Sequence, residues 1–371
     1  MANTFITLKL IAREALPRLI ENLVFPNLVY RNFSTDFKNL GDTIQVRKPT
    51  ILTAEEFNQE TGVNYQDMNE DSVDVKLDKL ATVDAKASAI ETAVNIDDLN
   101  RVFIEPAAVA LAEKINADGL ALYKDVPYAV GTAGTTPADL SVLANARKQL
   151  NINKAPVSGR IAVWDPEADA AFTQIPAVVN AEKSGSTQAL REGSIGRLMG
   201  FENYMAQGVA HHESGVTASS AVKVSGSVSE GATSLGLTAT TLTGKLLKGD
   251  ILTIKGKTYV VTEDSAEASA NAISSVKVYP ALPALNSSTT VTIAASHTAN
   301  LAFLPMAFAY VTRPLMNPDG QGVMSYVTSY NGISLRVTKG YDQKYKRSTY
   351  SMDVLYGYKT IYPELAVRAM G

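Results

Sequence analysis

The chain contains no cysteine, and this absence removes several kinds of chemistry at once. Disulfide bonds, thiol nucleophiles and thiolate zinc sites are all excluded, so stability must come from packing and association. Histidine is nearly as scarce, with three residues in 371. No run of about 18 apolar residues occurs, so no membrane-spanning helix is expected.

A basic excess is also lacking, since 34 Lys and Arg face 37 Asp and Glu and the formal net charge is -3. A protein that coats duplex DNA normally carries a strong positive charge, so that class is disfavoured. The composition, 46% hydrophobic and 19% charged, is that of an ordinary globular protein with room for more than one domain.

The first 25 residues, MANTFITLKLIAREALPRLIENLVF, predict an amphipathic helix with a kink or break at Pro17. Charged residues from Lys9 to Glu21 interrupt every candidate core of a signal peptide. The apolar stripe suits a membrane surface or a protein surface, and the mixture of acids and bases on the other face favours docking on this or a neighbouring subunit. The stripe consists of Leu8, Ile11, Ala15, Leu19 and Leu23.

Residues 41–52 and 72–94 alternate like strands on either side of a polar, turn-rich segment, which predicts an extended hairpin. An isolated hairpin is only marginally stable in water, so something outside it must support it. Between residues 55 and 78 its tip and the start of its returning strand are acidic, with only Lys76 to offset the charge. Such a run is either a solvated face or the complement of a basic surface. The acidic residues are Glu55, Glu56, Glu60, Asp67, Glu70, Asp71, Asp74 and Asp78.

Residues 95–126 carry the strongest helical pattern. Leu111, Ile115 and Leu122 recur at helical spacing, and Pro106 suits the first position of a segment. We therefore expect a long structural helix here.

Two shorter helices and a strand are predicted next. Pro137 suits the start of a helix over 137–150, and Asp165 suits the cap of a helix over 165–173. The run GRIAVW before Asp165 predicts a buried strand that ends at Trp164.

The composition changes abruptly between residues 208 and 297, where Ser, Thr, Val, Ala and Gly dominate. Short alternating strands separated by turn residues predict a small all-β domain, a barrel or a sandwich, inserted into a larger domain. The run IKGKTY within it predicts a tight hairpin.

The C-terminal region from residue 308 is strand-rich and dense in tyrosine, which suits both strand faces and subunit interfaces. It also carries a basic run that only Asp342 offsets. The basic residues are Arg336, Lys339, Lys344, Lys346 and Arg347.

The stretch REGSIGRLMGFENYMAQG, residues 191–208, has the glycine density of a phosphate-binding loop. However, its spacing fits neither the P-loop nor the dinucleotide-binding pattern, and no apolar strand precedes it. We therefore expect Gly193, Gly196 and Gly200 to serve turns that need a positive φ.

The three histidines, His211, His212 and His297, lie at the entry and exit of the inserted domain. The ends of an inserted domain are normally close together, so these residues and Glu213 could assemble a metal site. The alternative is a set of polar linker residues, because no HExxH or other zinc motif is present. No nucleophile elbow or other catalytic motif was found, so we expect no catalytic, metal-binding or cofactor-binding residues and no enzymatic activity.

Four segments carry a resemblance to a known family: LREGSIGRLMGFENYMAQGV (190–209), LLKGDILTIKGKTYVV (246–261), NLAFLPMAFAYVTRPL (300–315) and YSMDVLYGYKTIYPELAVR (350–368). Together with the order of the predicted elements, they resemble the major capsid (coat) proteins of tailed double-stranded DNA bacteriophages. The closest resemblance is to the subfamily whose Hong Kong 97-like capsid fold carries an inserted β-barrel.

The resemblance implies an α+β fold with a particular division of the chain. Its parts are an N-terminal arm (1–40), an extended hairpin or E-loop (41–92), a peripheral domain with a spine helix (93–127 and 320–356), an axial domain (128–207, 298–319 and 357–371) and an inserted barrel (208–297).

The resemblance also implies partners. Copies of the chain form the hexamers and pentamers of an icosahedral virion shell, assembled in the host cytoplasm with a scaffolding and a portal protein around DNA that is not read by sequence. The acidic hairpin is then expected to meet the basic run of a neighbouring subunit through Glu55, Glu56, Glu60, Asp67, Glu70 and Asp71. Three other functions stay open: a nanocompartment shell of the same fold, a surface carbohydrate-binding protein, and a metal hydrolase using His211, His212 and Glu213.

Overall fold

The structure is a computed structural model with α+β architecture. It describes residues 4–31, 43–48, 71–88, 104–180, 191–218, 221–317, 323–330, 332–345 and 347–371. The helices are α1 (Thr4–Asn22), α2 (Phe25–Leu28), α3 (Glu105–Leu120), α4 (Leu140–Ile152), α5 (Pro166–Thr173) and α6 (Pro176–Val179), and a 3-10 turn (Ala121–Asp125) continues α3.

The strands of the first half are β1 (Thr43–Lys48), β2 (Asp71–Lys76), β3 (Lys79–Ser88), β4 (Ala129–Gly131), β5 (Arg160–Trp164), β6 (Arg197–Leu198), β7 (Phe201–Met205), β8 (His211–His212), β9 (Val216–Ala218), β10 (Val222–Val224) and β11 (Ser234–Thr238). Those of the second half are β12 (Leu242–Gly244), β13 (Ile251–Ile254), β14 (Lys257–Val261), β15 (Ala272–Tyr279), β16 (Thr290–Ile293), β17 (His297–Phe303), β18 (Phe308–Arg313), β19 (Met324–Tyr330), β20 (Ile333–Asp342), β21 (Arg347–Thr360) and β22 (Ala366–Met370).

The N-terminal helix packs on its own chain. Four residues of the predicted stripe, from Ile11 to Leu23, are buried against α3, β19 and β20, and Pro17 lies inside α1 without ending it. The side chain of Asn116 on α3 accepts hydrogen bonds from the backbone N–H groups of Val24 and Phe25. These bonds satisfy donors at the start of α2 and fix the chain to α3.

Two sheets form the body of the molecule, which we define as the described residues outside the inserted segment and outside the β1–β2 hairpin. The first has five strands, in the order β18, β21, β20 and β19, with β3 paired to β21. The second has seven strands, in the order β4, β22, β17, β5, β7 and β6, with β8 paired to β17. Helix α3 packs on the first sheet, whereas α4 and α5 join the core of the second.

The inserted segment forms a closed six-stranded antiparallel barrel, in the order β10, β11, β15, β14, β13 and β16. This decides between the barrel and the sandwich that the sequence left open. The barrel has its own core, which contains Leu237, Leu252 and Val276, all buried. Lys255 and Gly256 connect β13 to β14 with positive φ at both positions, as a type I′ turn requires.

Two predictions about strands differ from the structure. The returning strand of the hairpin is divided after β2, and its second part, β3, pairs with β21. Strand β18, which the sequence division groups with the axial segments, also pairs with β21. Both differences have the same reason. Strand β21 is 14 residues long and pairs along both edges, so strands that are distant in sequence pair with different parts of it.

One helix start also differs. Helix α4 begins at Leu140 rather than at Pro137, because the side chain of Asp139 accepts a hydrogen bond of 2.8 Å from the backbone N–H of Ser141. A carboxylate at this position satisfies a free donor of the first turn, which proline does not. The cap predicted at Asp165 for α5 is confirmed, and Pro106 lies in the first turn of α3 as expected.

Candidate functional site

The two chain crossings between the body and the barrel run side by side. Strand β8 leads into the barrel and β17 leads out of it, and they pair antiparallel with His212 opposite His297. The prediction that the ends of the inserted segment lie together is therefore confirmed. Both imidazole rings are buried, and their centres lie 5.4 Å apart.

His212 belongs to a directed chain of hydrogen bonds. Its Nε2 lies 2.8 Å from Oδ1 of Asp250, and its Nδ1 lies 3.0 Å from the hydroxyl of Tyr123. A carboxylate only accepts, so Nε2–H donates to Asp250, and in the neutral ring the phenol donates to Nδ1. Burial raises the pKa of Tyr123, which keeps the phenol protonated for this role. The chain joins the 3-10 turn of the body to the barrel.

Arg368 on β22 clamps the barrel from the other side. Its Nη1 donates to the backbone carbonyl of Gly249 at 2.8 Å, and its Nη2 donates to the carbonyl of Tyr123 at 2.5 Å. The guanidinium also lies 4.7 Å from the ring centre of Tyr123. Burial lowers the pKa of Arg368 to about 10, so the group remains charged near neutral pH.

Gly249 permits the close approach that this clamp needs. It has a φ of 101°, and a Cβ at this position would lie 2.9 Å from Cγ of Lys124. Any other residue would therefore strain the backbone and push the barrel loop away from the body. Beside it, Lys248 and Asp125 form a half-exposed ion pair of 2.9 Å across the same boundary.

His297 completes this set of residues, which we call the junction: Tyr123, His212, Asp250, His297 and Arg368. Its Nδ1 lies 2.7 Å from the carbonyl oxygen of Ala295, and its Nε2 lies 3.4 Å from Nη1 of Arg368. Burial is the main cause that lowers the pKa of His297 to about 4. The ring is therefore neutral at neutral pH.

The junction lacks the properties of a metal site. The side chains of His211 and Glu213 are exposed, whereas His212 is buried on the opposite face of the strand. Within the described ranges, no group of three or more His, Asp and Glu residues is placed to hold a metal ion. Both ring nitrogens of His212 are already engaged with protein groups. The arrangement matches the linker alternative better than the metal hydrolase hypothesis.

The glycines of residues 191–208 lie in the turns around β6 and β7. Gly193, Gly196 and Gly200 have φ values of 66°, 64° and 88°. A Cβ on any of them would meet no atom within 4 Å. Their requirement is therefore conformational rather than steric, since most other residues are disfavoured at positive φ.

The predicted interface residues divide into two groups. Glu55, Glu56, Glu60, Asp67 and Glu70 lie outside the described residues, and Asp71 begins β2. Strands β1 and β2 pair antiparallel over six residues each, so the base of the predicted hairpin is confirmed. Asp74 and Asp78 are exposed on this base.

The basic run carries less unpaired charge than the sequence suggested. Asp342 is not its only acidic neighbour: Arg336 donates from Nε and Nη2 to Oδ2 of Asp353 at 2.9 and 2.6 Å. Arg347 lies 3.4 Å from Asp342 and 4.5 Å from the ring centre of the exposed Tyr345.

Two lysines of this run lie against tyrosine rings. Lys339 is 5.3 Å from the ring centre of Tyr350, and Lys344 is 5.3 Å from that of Tyr345. We call Tyr341, Lys344, Tyr345 and Arg347 the basic tip; Lys346 lies outside the described residues. The tip combines cations with exposed aromatic rings, a composition found in protein interfaces.

Sequence reasoning found the histidines but missed their partners. Tyr123, Asp250 and Arg368 are separated from one another by more than a hundred residues, and no local motif connects them. One signal was available: Arg368 is a single charge within the apolar strand AVRAM. A lone charge in a buried strand indicates a specific buried partner.

No family model matches the sequence, and no curated protein is significantly similar to it. Solved structures give clear similarities in fold. A chain from Mycobacterium phage Che8 has a TM-score of 0.55 and 16% identity, over 94% of this chain and 90% of that one. A chain from the capsid structure of the cyanophage P-SCSP1u has a TM-score of 0.53 and 13% identity, over 94% and 88%.

These similarities confirm the resemblance at the level of the fold: the chain has the fold of bacteriophage capsid proteins. The likeness extends over almost the whole length of both chains. Among the helices of the described residues, none has the length and apolar character to cross a bilayer.

Proposed function

We propose that this chain is the major capsid protein of a tailed double-stranded DNA bacteriophage and acts as a structural, non-catalytic subunit of an icosahedral shell. The observation that carries the proposal is the capsid fold over 94% of the chain. The segments quoted in the sequence analysis, which resemble this family, support it independently.

The hairpin supports a role in assembly. Strands β1 and β2 form a sheet of only two strands, and the C-terminal end of β2 packs on the body. There Val75 and Leu77 are buried against Val311 and Leu355. An isolated two-stranded hairpin is marginally stable, so a long hairpin gains stability from a further surface. A neighbouring subunit supplies such a surface in a shell.

The parts of the Hong Kong 97-like fold are assigned as follows. The β1–β2 hairpin is the E-loop, α3 is the spine helix, and the five-stranded sheet belongs to the peripheral domain. The seven-stranded sheet is the axial domain, and the six-stranded barrel is the inserted domain. Helix α1 is the N-terminal arm, and in this chain it packs on its own subunit.

The same proposal names the partners. Copies of the chain meet as hexamers and pentamers, with a scaffolding and a portal protein taking part in assembly in the host cytoplasm. Packaged DNA lies against the inner face without sequence-specific contacts, in agreement with a net charge of -3. In this scheme the acidic hairpin tip lies on the basic tip of the neighbouring subunit.

Assembly is tested by expressing the full chain alone and with a candidate scaffolding protein. Negative-stain electron microscopy and sedimentation velocity are measured on the same samples. We expect closed shells or rings of subunits in at least one of the two preparations. A chain that stays monomeric in both would contradict the proposal.

A further inference from the structure

The two buried histidines of the junction are hydrogen-bonded in opposite senses. His212 lies between a donor, the hydroxyl of Tyr123, and an acceptor, the carboxylate of Asp250. His297 lies between an acceptor, the carbonyl of Ala295, and a donor, the guanidinium of Arg368. The two rings therefore respond differently to an added proton.

The contacts of His297 assign its tautomer. A guanidinium has no acceptor, so Nε2 of His297 faces Arg368 with its lone pair and the ring proton is on Nδ1, which donates to Ala295. A proton added at Nε2 would place an N–H donor opposite the N–H donors of Arg368. The positive charges of His297 and Arg368 would then repel each other, and no acceptor would lie between the two donors.

His212 tolerates the same proton. Its Nε2–H already faces the carboxylate of Asp250, which becomes an ion-pair partner when the ring is charged. Its Nδ1 faces the hydroxyl of Tyr123, which turns to accept because a phenol both donates and accepts. His212 is therefore a matched internal control for His297.

A displaced Arg368 removes one of the hydrogen bonds that join the barrel to the body. The same Nη1 that faces His297 donates to the carbonyl of Gly249, the barrel loop that touches the body. If the guanidinium moves away from a charged His297, this hydrogen bond is lost and the loop has no clamp from β22. The barrel is then held by the His212 chain, by the Lys248–Asp125 ion pair, and by the hydrogen bonds of Thr258 with Ala129 and of Tyr279 with Glu364.

The surroundings of His297 do not offset the added charge. Among the described residues, the titratable or charged groups that act on it are Arg368 on β22 and His212 and His211 on β8, all of them cationic when charged. The acids Asp250 and Asp125, with Tyr123, act on Arg368 instead.

We propose that His297 is a proton-sensitive contact that holds the barrel to the body. With His297 neutral, the junction is closed. With His297 protonated, the junction opens while the barrel and the body remain folded.

The pH dependence has a definite direction because the closed junction favours the neutral form of His297. The ordinary pKa of histidine, 6.5, applies to the open junction, and burial lowers the pKa to about 4 in the closed one. The open state therefore binds the proton more tightly. Closure is fully favoured above pH 6.5 and is lost as the pH falls towards 4.

Hydrogen exchange on the full-length wild-type chain between pH 7.5 and 4.5 tests the proposal. Two amides beside the junction serve as probes: Leu247, which donates to the carboxylate of Asp250, and Ala299, which donates to the carbonyl of Ala210. We expect their protection factors to fall about tenfold for each pH unit below about 6.5. Protection in β15 should not change, which shows that the barrel stays folded. The fluorescence of Trp164, the only tryptophan, should not change either, because it reports the body.

Two matched variants decide which histidine is responsible. His297→Gln should remove the pH dependence of junction protection, whereas His212→Gln should retain it. A flat profile in the wild type, or an unchanged slope in His297→Gln, would overturn the proposal.

A spectroscopic measurement on the wild type decides the question if His297→Gln fails to fold. With three histidines in the chain, ¹⁵N-histidine NMR resolves each ring, and His211→Gln assigns the exposed one. At pH 7 we expect one buried ring to be neutral and protonated on Nδ1, and another on Nε2. If both buried rings carry the proton on Nε2, or if His297 is charged, the proposal is wrong.

Discussion

The barrel and the hairpin both consist of antiparallel strands, but only in the barrel is every strand paired along both edges. Each of its six strands pairs on both sides, and its core consists of residues of the inserted segment alone. The hairpin has two strands, and its buried residues pack on β18 and β21 of the body. The barrel is therefore a complete folding unit, whereas the hairpin is an incomplete one.

The barrel and the hairpin also differ in how their charges are balanced. On the barrel, Lys277 pairs with Glu263 and Lys245 pairs with Asp264, so two of its ion pairs lie within the unit, besides that of Lys248 with Asp125 of the body. On the hairpin, the acids greatly outnumber the bases. A unit with balanced charges offers little to a charged partner, whereas an acidic hairpin suits a basic one.

The largest expected effect tests whether the barrel is independent. Leu252→Ala removes a fully buried side chain from its core and should cost about 2–5 kcal/mol in the free energy of unfolding of the barrel. The fluorescence transition of Trp164 should not move, because that residue lies in the body. Hydrogen exchange of β13 to β16 and Trp164 fluorescence are followed in parallel through a urea titration.

Leu150→Ala is the control for this experiment. Leu150 is also fully buried, but it shares a core with Trp164. It should shift the Trp164 transition and leave the barrel amides protected. If both variants shift both signals equally, the barrel and the body unfold as one unit and the comparison is wrong.

The next effect concerns the contact between α3 and β21, one of the strands on which the hairpin packs. Tyr356 on β21 donates to Asp118 on α3 at 2.6 Å, and Lys79 at the start of β3 lies 3.6 Å from the same carboxylate. Tyr356→Phe should cost about 1.5–3 kcal/mol, as expected for a hydrogen bond to a charged group. Trp164 fluorescence in urea measures this loss. Tyr358→Phe, which removes a bond to a backbone carbonyl, should cost only about 0.5–1.5 kcal/mol.

The effect of Tyr356→Phe should also depend on pH. Burial alone would raise the pKa of Asp118, but the hydrogen bonds from Tyr356 and Lys114 and the charges of Lys79 and Lys114 outweigh it and lower the pKa. A carboxyl with a lowered pKa stabilises the fold above its ordinary value of 3.8 and loses this contribution as the pH falls. The variant and the wild type should therefore converge in acid. An equal difference at pH 7 and pH 3 would show that Asp118 is not the acceptor that matters.

The sequence predicted the parts of the fold that local signals determine. Pro106 and Asp165 mark helix starts through their own backbone chemistry, and Lys255 and Gly256 form the turn that their hairpin demands. The capsid fold was predicted from the resemblance of four segments, together with the order of these elements, to a known family. By contrast, the pairing of β3 with β21 joins residues about 270 positions apart, which no local pattern encodes.

The junction shows the same limit at the level of side chains. The spacing of His212 and His297 around the inserted segment was visible in the sequence, but the roles of the two rings were not. Those roles depend on whether a donor or an acceptor faces each nitrogen, and the partners Asp250 and Arg368 come from other elements. Only the folded chain brings them together.

A smaller effect is expected where the hairpin meets its partner. Changing Glu55, Glu56 and Glu60 to Lys should impair assembly while the monomer stays folded, because three attractive contacts of about 0–1 kcal/mol each become repulsive. Sedimentation velocity measures assembly, and circular dichroism checks the monomer. Adding reversals of Lys344, Lys346 and Arg347 to acids should partly restore assembly. Normal assembly of the triple variant would show that the charge pairing is wrong.

The smallest effect is expected on the barrel surface. Lys277 and Glu263 are 60% and 64% exposed, so solvent screens their ion pair, and Lys277→Ala should change the free energy of unfolding by less than about 1 kcal/mol. Assembly should also be unchanged, because this charge is matched within the barrel rather than across subunits. Hydrogen exchange of β15 and sedimentation velocity measure the two quantities. An assembly defect in Lys277→Ala comparable to that of the hairpin reversals would mean that the barrel surface is itself an interface, and the contrast between a complete and an incomplete unit would fail.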